Sequence, residues 1–194
     1  LIVRTNLFFS LYSKVMTLYL DIETTSLKAD TGIIVAAGIL DSEKGGIEVK
    51  FASTLEEERE LLLWLRERLK GESTIFTWNG LKFTVPFIIT RALAHGMDFS
   101  WLRRMNVMDL MTCCMNFLLL SEYKLDSVAD FLGVEVGGTY KSKETGIFYW
   151  KALKGDKEAK EAIVQHCEED LRKIRGIHEK IKYLVAARAG RKKE

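Results

Sequence analysis

The chain has 194 residues, of which 47% are apolar, and its formal net charge is +2. This length and apolar content predict one domain with a substantial core and exclude a disordered chain. No apolar run reaches the roughly 18 to 20 residues that span a bilayer, and the three cysteines lack the spacing of a disulfide framework. We therefore expect a cytoplasmic protein with no membrane partner.

The charge is unevenly distributed along the chain. Residues 171–194 hold nine Lys or Arg side chains against two acids, so the remainder is acidic. A basic end suits contact with a phosphate backbone, although such an end also serves simply to keep a protein in solution. We expect a leader of uncertain status at 1–15, one domain at 16–185 and a basic tail at 186–194.

The first predicted strand, within residues 18–27, carries two acids. In a strand, Asp21 and Glu23 share one face, while Leu18, Leu20 and Ile22 share the other. Paired carboxylates on a strand repel each other, so a cation between them is one interpretation. The alternative is an edge strand whose polar face meets water.

The next elements predict a mixed sheet. Strands at 33–40 and 47–51 form an antiparallel meander with the first strand. Thr54 and Glu57 form a capping box that begins a helix ending at Gly71. A strand at 73–78 then lies parallel to the first, because the helix supplies the crossover.

The second half of the chain is predicted to be mostly helical. Residues 84–86 have the form of a helix start, with Thr84 as the capping residue, and a short last strand is predicted at 106–108. Asp109 either caps the next helix, which we favour, or serves as an extra metal ligand. Helices are predicted at 109–119, 125–132, 143–153 and 156–184.

The last helix carries a charge on its apolar stripe. The stripe alternates steps of three and four residues, and Asp170 is its one charged member; its residues are Ile163, Cys167, Asp170, Ile174, Ile177, Ile181 and Leu184. A lone buried carboxylate costs several kcal/mol unless a positive group meets it. His166 lies one turn earlier, so a structural hydrogen bond from His166 to Asp170 is the alternative to a metal site.

Three motifs in this order resemble the DEDD superfamily of 3′–5′ exonucleases, which has the ribonuclease H-like fold. They are Asp21 with Glu23 on a strand, Asn79-Gly80 followed by Phe83 at a helix start, and His166-x-x-x-Asp170 on a late helix. The segment 124–133 also resembles the stretch after the second motif in family-B polymerase proofreading domains. The resemblance covers residues 16–185 and implies an α/β fold with a mixed five-stranded sheet flanked by helices.

The resemblance also implies a chemistry, two-metal hydrolysis of a phosphodiester at the 3′ end of single-stranded DNA or RNA. Asp21 would bridge two Mg²⁺ or Mn²⁺ ions, Glu23 and Asp170 would complete one of them, and His166 would orient or deprotonate the attacking water. The substrate-binding positions implied are Thr24, Asn79, Phe83 and Thr84.

Two positions depart from the family pattern. His166 stands at the spacing usual for tyrosine, and Thr84 stands where an aspartate is expected. A hydroxyl is a far poorer ligand for a divalent cation than a carboxylate. We therefore expect a one-metal or weakened nuclease, and the alternative is a degenerate nuclease fold that binds nucleic acid or serves assembly without cutting.

Several other side chains have two interpretations. Trp78, Phe83 and Tyr140 either stack on bases or, as we favour, pack in the core. Cys113 and Cys114 are expected in the core. His95 precedes a glycine at a helix end, where we expect it to complement the helix dipole.

Overall fold

The computed structural model describes residues 16–69, 71, 73–135, 137 and 144–190, with side chains described to residue 185. The predicted leader at 1–15, Tyr140 and the end of the predicted basic tail lie outside these residues. The domain boundaries therefore stay predictions. Within the described part, no helix combines the length and the apolar character needed to cross a bilayer.

The five strands form one mixed sheet in the order β3-β2-β1-β4-β5. The first three strands pair antiparallel, and β4 and β5 extend the sheet in parallel pairing. This confirms the predicted fold class. The strands are β1 (Met16–Thr24), β2 (Ile34–Asp41), β3 (Ile47–Phe51), β4 (Ser73–Thr77) and β5 (Asn106–Asp109).

Helices flank both faces of the sheet. The described residues form six α-helices and a 3₁₀ turn at Ser100–Arg104. The helices are α1 (Leu55–Arg68), α2 (Thr84–Ala94), α3 (Leu110–Phe117), α4 (Leu125–Phe131), α5 (Thr145–Leu153) and α6 (Lys157–Gly190). Thr54 caps α1 as predicted, because its hydroxyl accepts a hydrogen bond from the Glu57 amide at 3.1 Å.

Strand β1 lies in the centre of the sheet, so the alternative of a solvent-facing edge strand is wrong. Its side chains alternate between two cores. Leu18, Leu20 and Ile22 pack in the core beneath α1 and α2. Tyr19 faces the opposite core, which α3, α4 and α6 cover. Asp21 and Glu23 follow Tyr19 in this alternation and therefore face α6.

A buried ion pair ties α1 to α2. Glu58 is fully buried, and Arg91 donates two hydrogen bonds to its carboxylate at 2.9 and 2.7 Å. His95 approaches the same carboxylate at 2.8 Å through Nε2. The expectation that His95 serves the helix dipole is therefore incomplete, since its ring bonds to an acid on the neighbouring helix.

The start of α2 also differs from the prediction. Phe83 occupies the N-cap position, where no side chain makes a capping hydrogen bond, and Thr84 is the first helical residue. Thr84 is buried at 1% exposure. The prediction of Thr84 as the cap is wrong because the cap is one residue earlier, at Phe83, after a turn at Asn79, whose φ is +55°.

Candidate metal and nucleic-acid site

The carboxyl end of β1 and the middle of α6 meet at one cluster of polar side chains. Ligand atoms of Glu23, His166 and Asp170 all lie within 4.8 Å of one another. The Nε2 atom of His166 is 3.6 Å from a Glu23 oxygen and 3.8 Å from Asp170 Oδ2. The spacing is too wide for a direct hydrogen bond from the imidazole, but it leaves room for a small ion or a water.

Asp21 joins this cluster from the side. Its carboxylate lines a cavity of about 550 Å³ together with Glu23 and Asp170. Burial, followed by repulsion from Asp170, raises the pKa of Asp21 well above its ordinary value of 3.8. Two acids of β1 and one of α6 therefore line the same cavity.

The other two acids have similarly perturbed pKa values. Burial and the charges of Asp21 and Asp170 raise the pKa of Glu23 well above its ordinary range. Burial also raises the pKa of Asp170, against the opposing effect of His166 and Lys173. Repulsion among buried carboxylates is the electrostatic situation that a bound divalent cation relieves.

Thr145 holds Glu23 in place. Its hydroxyl, on the first residue of α5, donates a 2.9 Å hydrogen bond to Glu23 Oε2. Both residues are buried. The other Glu23 oxygen therefore faces His166 and the cavity. The sequence carries no signal for this contact, because 122 residues separate the two positions.

The residues predicted to bind substrate divide into two groups. Thr24 and Phe83 line the cavity beside the acids. Asn79 and Thr84 are not among its lining residues in the described part of the chain. Instead, Asp109 accepts hydrogen bonds from the backbone amides of Asn79 and Leu81, at 3.1 and 3.3 Å, so the second motif is anchored from β5.

The other candidate residues, except Phe83, make structural contacts. Asp109 caps α3 as favoured, because it also accepts from the Thr112 amide at 3.2 Å. Cys113 and Cys114 are buried in the core, as expected. Trp78 packs against the core beneath α6, as favoured. Phe83 both packs on the opposite core and lines the cavity.

An apolar rim borders the acidic wall. Leu27, Ile147 and Trp150 line the cavity, and these residues are 81%, 59% and 65% exposed. Sequence reasoning did not single them out. Ile147 and Trp150 stand three residues apart on α5, a spacing that by itself predicts a core-facing stripe.

Comparisons with known proteins agree with this fold. The RNase_H_2 family, described as RNase_H superfamily, matches residues 18–182. The solved structure of the family B DNA polymerase from the hyperthermophilic archaeon Pyrobaculum calidifontis is similar over 87% of this chain, with a TM-score of 0.69 and 18% identity. The chain spans 24% of the length of that polymerase. No curated protein sequence matches it.

Proposed function

Because the chain belongs to the RNase_H superfamily, we propose that it is a metal-dependent 3′–5′ exonuclease of the DEDD type that its motifs resemble. Its substrate is the 3′ end of single-stranded DNA or RNA. Similarity to a DNA polymerase fold supports nucleic acid as the partner. The observation that carries the proposal is the convergence of Glu23, His166 and Asp170 within 4.8 Å, beside Asp21 in one cavity.

The donor set fits a hard divalent cation. Asp21, Glu23 and Asp170 offer carboxylate oxygens, which Mg²⁺ and Mn²⁺ prefer to sulfur or to a purely nitrogen set. When bound, such a cation polarises a phosphodiester and makes a water more acidic. Since Thr84 supplies no carboxylate, the proposed site holds one tightly bound cation rather than two.

His166 is the proposed proton acceptor. Its Nε2 atom faces the space between Glu23 and Asp170, where an attacking water would lie. An imidazole has an ordinary pKa close to neutral pH, which suits a base that must accept and release a proton. Thr145 fixes Glu23 by its hydrogen bond and thereby fixes one wall of the space that faces His166.

The apolar rim is the proposed contact for the terminal bases. Leu27, Ile147 and Trp150 present exposed apolar surface next to the acids. An exposed indole stacks on any base, which is worth about 1–3 kcal/mol per base in single-strand binders. A duplex end would offer its bases already stacked, so this rim favours unpaired ends.

A second function is favoured by one observation, the threonine at position 84. With one carboxylate fewer than the DEDD pattern, the protein would bind a nucleic-acid end or support assembly without hydrolysis. The two candidates differ in a single assay. Single-stranded DNA and RNA labelled at the 5′ end are incubated with Mn²⁺ or Mg²⁺ at high enzyme concentration, and the ladder of products is resolved.

We expect stepwise shortening from the 3′ end by the parent protein. Asp21→Ala should lower the rate by at least about 10-fold, because loss of a ligand costs no less than loss of a residue that orients one. Phosphorothioate linkages at the 3′ end provide the control for direction. Equal inactivity of parent and Asp21→Ala would eliminate catalysis, and salt-sensitive binding without cleavage would then support the second function.

A further inference from the structure

A lysine lies beside the proposed cation site, buried within the protein. Lys173 stands on α6 one turn after Asp170 and is 6% exposed. Its ammonium donates hydrogen bonds to Asp170 Oδ1 at 3.1 Å and to Asp126 Oδ1 at 2.7 Å. Asp126 belongs to α4, so the lysine connects two helices as well as two acids.

The contacts of Asp170 divide between its two oxygens. Oδ1 accepts the hydrogen bond from Lys173, and Oδ2 faces His166 at 3.8 Å. A divalent cation held by Asp170 would therefore share this carboxylate with a fixed positive charge. Two cations on one carboxylate repel each other, and in a partly buried site that repulsion is weakly screened.

We propose that Lys173 is an internal counter-ion that competes with a divalent cation for Asp170 and so sets the metal affinity of the site. This inference rests on the proposed function, because it assigns a tuning residue to the same metal site. Lys173 is a positioning residue, since it acts through Asp170 rather than on a substrate.

Lys173 and a divalent cation compete because each can neutralise the negative charge of the same acids. Without metal, Lys173 offsets part of the repulsion among Asp21, Glu23 and Asp170, which would otherwise destabilise the fold. With metal bound, the cation takes over that role, and the ammonium becomes an unfavourable neighbour. Lys173 thus stabilises the metal-free fold and weakens metal binding.

The test measures Mn²⁺ binding by calorimetry and by the shift in unfolding temperature, neither of which depends on activity. Lys173→Gln keeps donors for Asp170 and Asp126 but removes the charge. We expect this variant to bind Mn²⁺ about tenfold more tightly than the parent and to show a larger Mn²⁺-induced shift in unfolding temperature. Lys173→Arg keeps the charge and should stay within about threefold of the parent.

A matched control removes a lysine elsewhere on the same helix. Lys182 pairs with Glu179 at 3.4 Å, and its side chain is 49% exposed. Lys182→Gln should leave Mn²⁺ affinity unchanged, because an exposed charge further along α6 is screened by solvent and salt. This control separates a local effect of Lys173 from a general loss of positive charge.

The outcomes separate the inference from the proposed function. Unchanged or weaker Mn²⁺ binding by Lys173→Gln, with normal binding by the parent, overturns the inference alone. No Mn²⁺ binding by either protein overturns both the inference and the metal site. Binding by Lys173→Gln and not by the parent supports the inference and shows that the lysine excludes the metal.

Discussion

Thr84 is the residue at which the resemblance to the DEDD pattern implies a missing metal ligand. It stands at the first position of α2 and is almost fully buried. An acid at the first turn of a helix is favoured by the helix dipole, which offsets part of the cost of burying an aspartate there. The departure from the pattern is thus a difference in one side chain.

The variant Thr84→Asp tests this diagnosis. We expect the exonuclease rate with Mn²⁺ to rise about tenfold, because a carboxylate at this position, next to the cavity-lining Phe83, would add negative charge near the proposed cation. Rates are measured on a 5′-labelled single strand at several Mn²⁺ concentrations. Thr84→Asn is the matched control, having the size of aspartate without its charge. An equal rise in both variants, or in neither, would reject charge as the limiting factor.

For individual residues, the sequence indicated which acids lie on facing surfaces but not which side chains contact them. The alternation of β1 and the charged position in the α6 stripe place Asp21, Glu23 and Asp170 on facing surfaces, since both periodicities are local. The contact from Thr145 to Glu23 and the clamp from Lys173 to Asp126 join distant segments. Neither contact follows from local spacing, because each depends on how whole helices pack.

Close packing of α6 on β2 brings the two halves of the site together. Gly38 pairs with Asp21 across the sheet. A Cβ atom at Gly38 would lie 2.7 Å from Leu171 Cδ1 and 2.8 Å from Cys167 Sγ, both on α6. The absence of a side chain therefore lets the helix that carries His166 and Asp170 approach the strand that carries the other acids.

Gly38→Ala should consequently weaken both the fold and the site. We expect a loss of about 1–3 kcal/mol in the free energy of unfolding, which is typical of overpacking in a well-packed core. Mn²⁺ affinity should fall as well, because α6 is displaced from β1. Urea unfolding and calorimetry measure the two effects.

Gly46→Ala is the control for Gly38→Ala. No atom lies within 4 Å of a Cβ built at Gly46, which is in the turn before β3. The free energy of unfolding of Gly46→Ala should differ from that of the parent by no more than about 0.5 kcal/mol. A Gly38→Ala protein as stable as this control would mean that α6 does not need the close approach.

Most helices and strands could be predicted because the sequence patterns that specify them are local. The capping box at Thr54, the alternation in β1 and the long apolar stripe of α6 each act within a few residues. Boundaries were less accurate: α6 extends to Gly190, and α2 begins without a side-chain cap. Tertiary anchoring explains the second case, because Asp109 holds the Asn79 turn from a neighbouring strand.

In the molecule as a whole, acids on the two faces of the sheet change the stability of the fold with pH in opposite directions. On the α1–α2 face, burial alone would raise the pKa of Glu58, but hydrogen bonds from Arg91 and His95 outweigh it and lower that pKa. Its stabilising effect is therefore lost in acid. On the α6 face, the pKa values of Asp21, Glu23 and Asp170 are raised.

The raised pKa values predict the direction in which the stability of the metal-free protein changes with pH. The folded state binds protons at Asp21 more tightly than the unfolded state, so this residue's contribution to stability decreases as pH rises above 3.8. Asp21→Asn should therefore exceed the parent in unfolding free energy by at least about 1 kcal/mol at pH 7 in EDTA. This advantage should shrink towards pH 4.

Urea unfolding of both proteins at a series of pH values measures this difference. The contribution of Glu58 is the same in both proteins and cancels. Saturating Mn²⁺ should reverse the order at neutral pH, because a bound cation stabilises the ionised parent more than the variant. An advantage for Asp21→Asn that is constant across pH would contradict ionisation as its cause.

The exposure of Trp150 gives the molecule an optical reporter of its own. Of the four tryptophans, Trp150 alone is exposed, while Trp64, Trp78 and Trp101 are partly buried. Acrylamide in the solvent should therefore quench the emission of Trp150 first. An oligonucleotide that covers the cavity should protect this emission, so occupancy of the site can be followed by fluorescence without any attached dye.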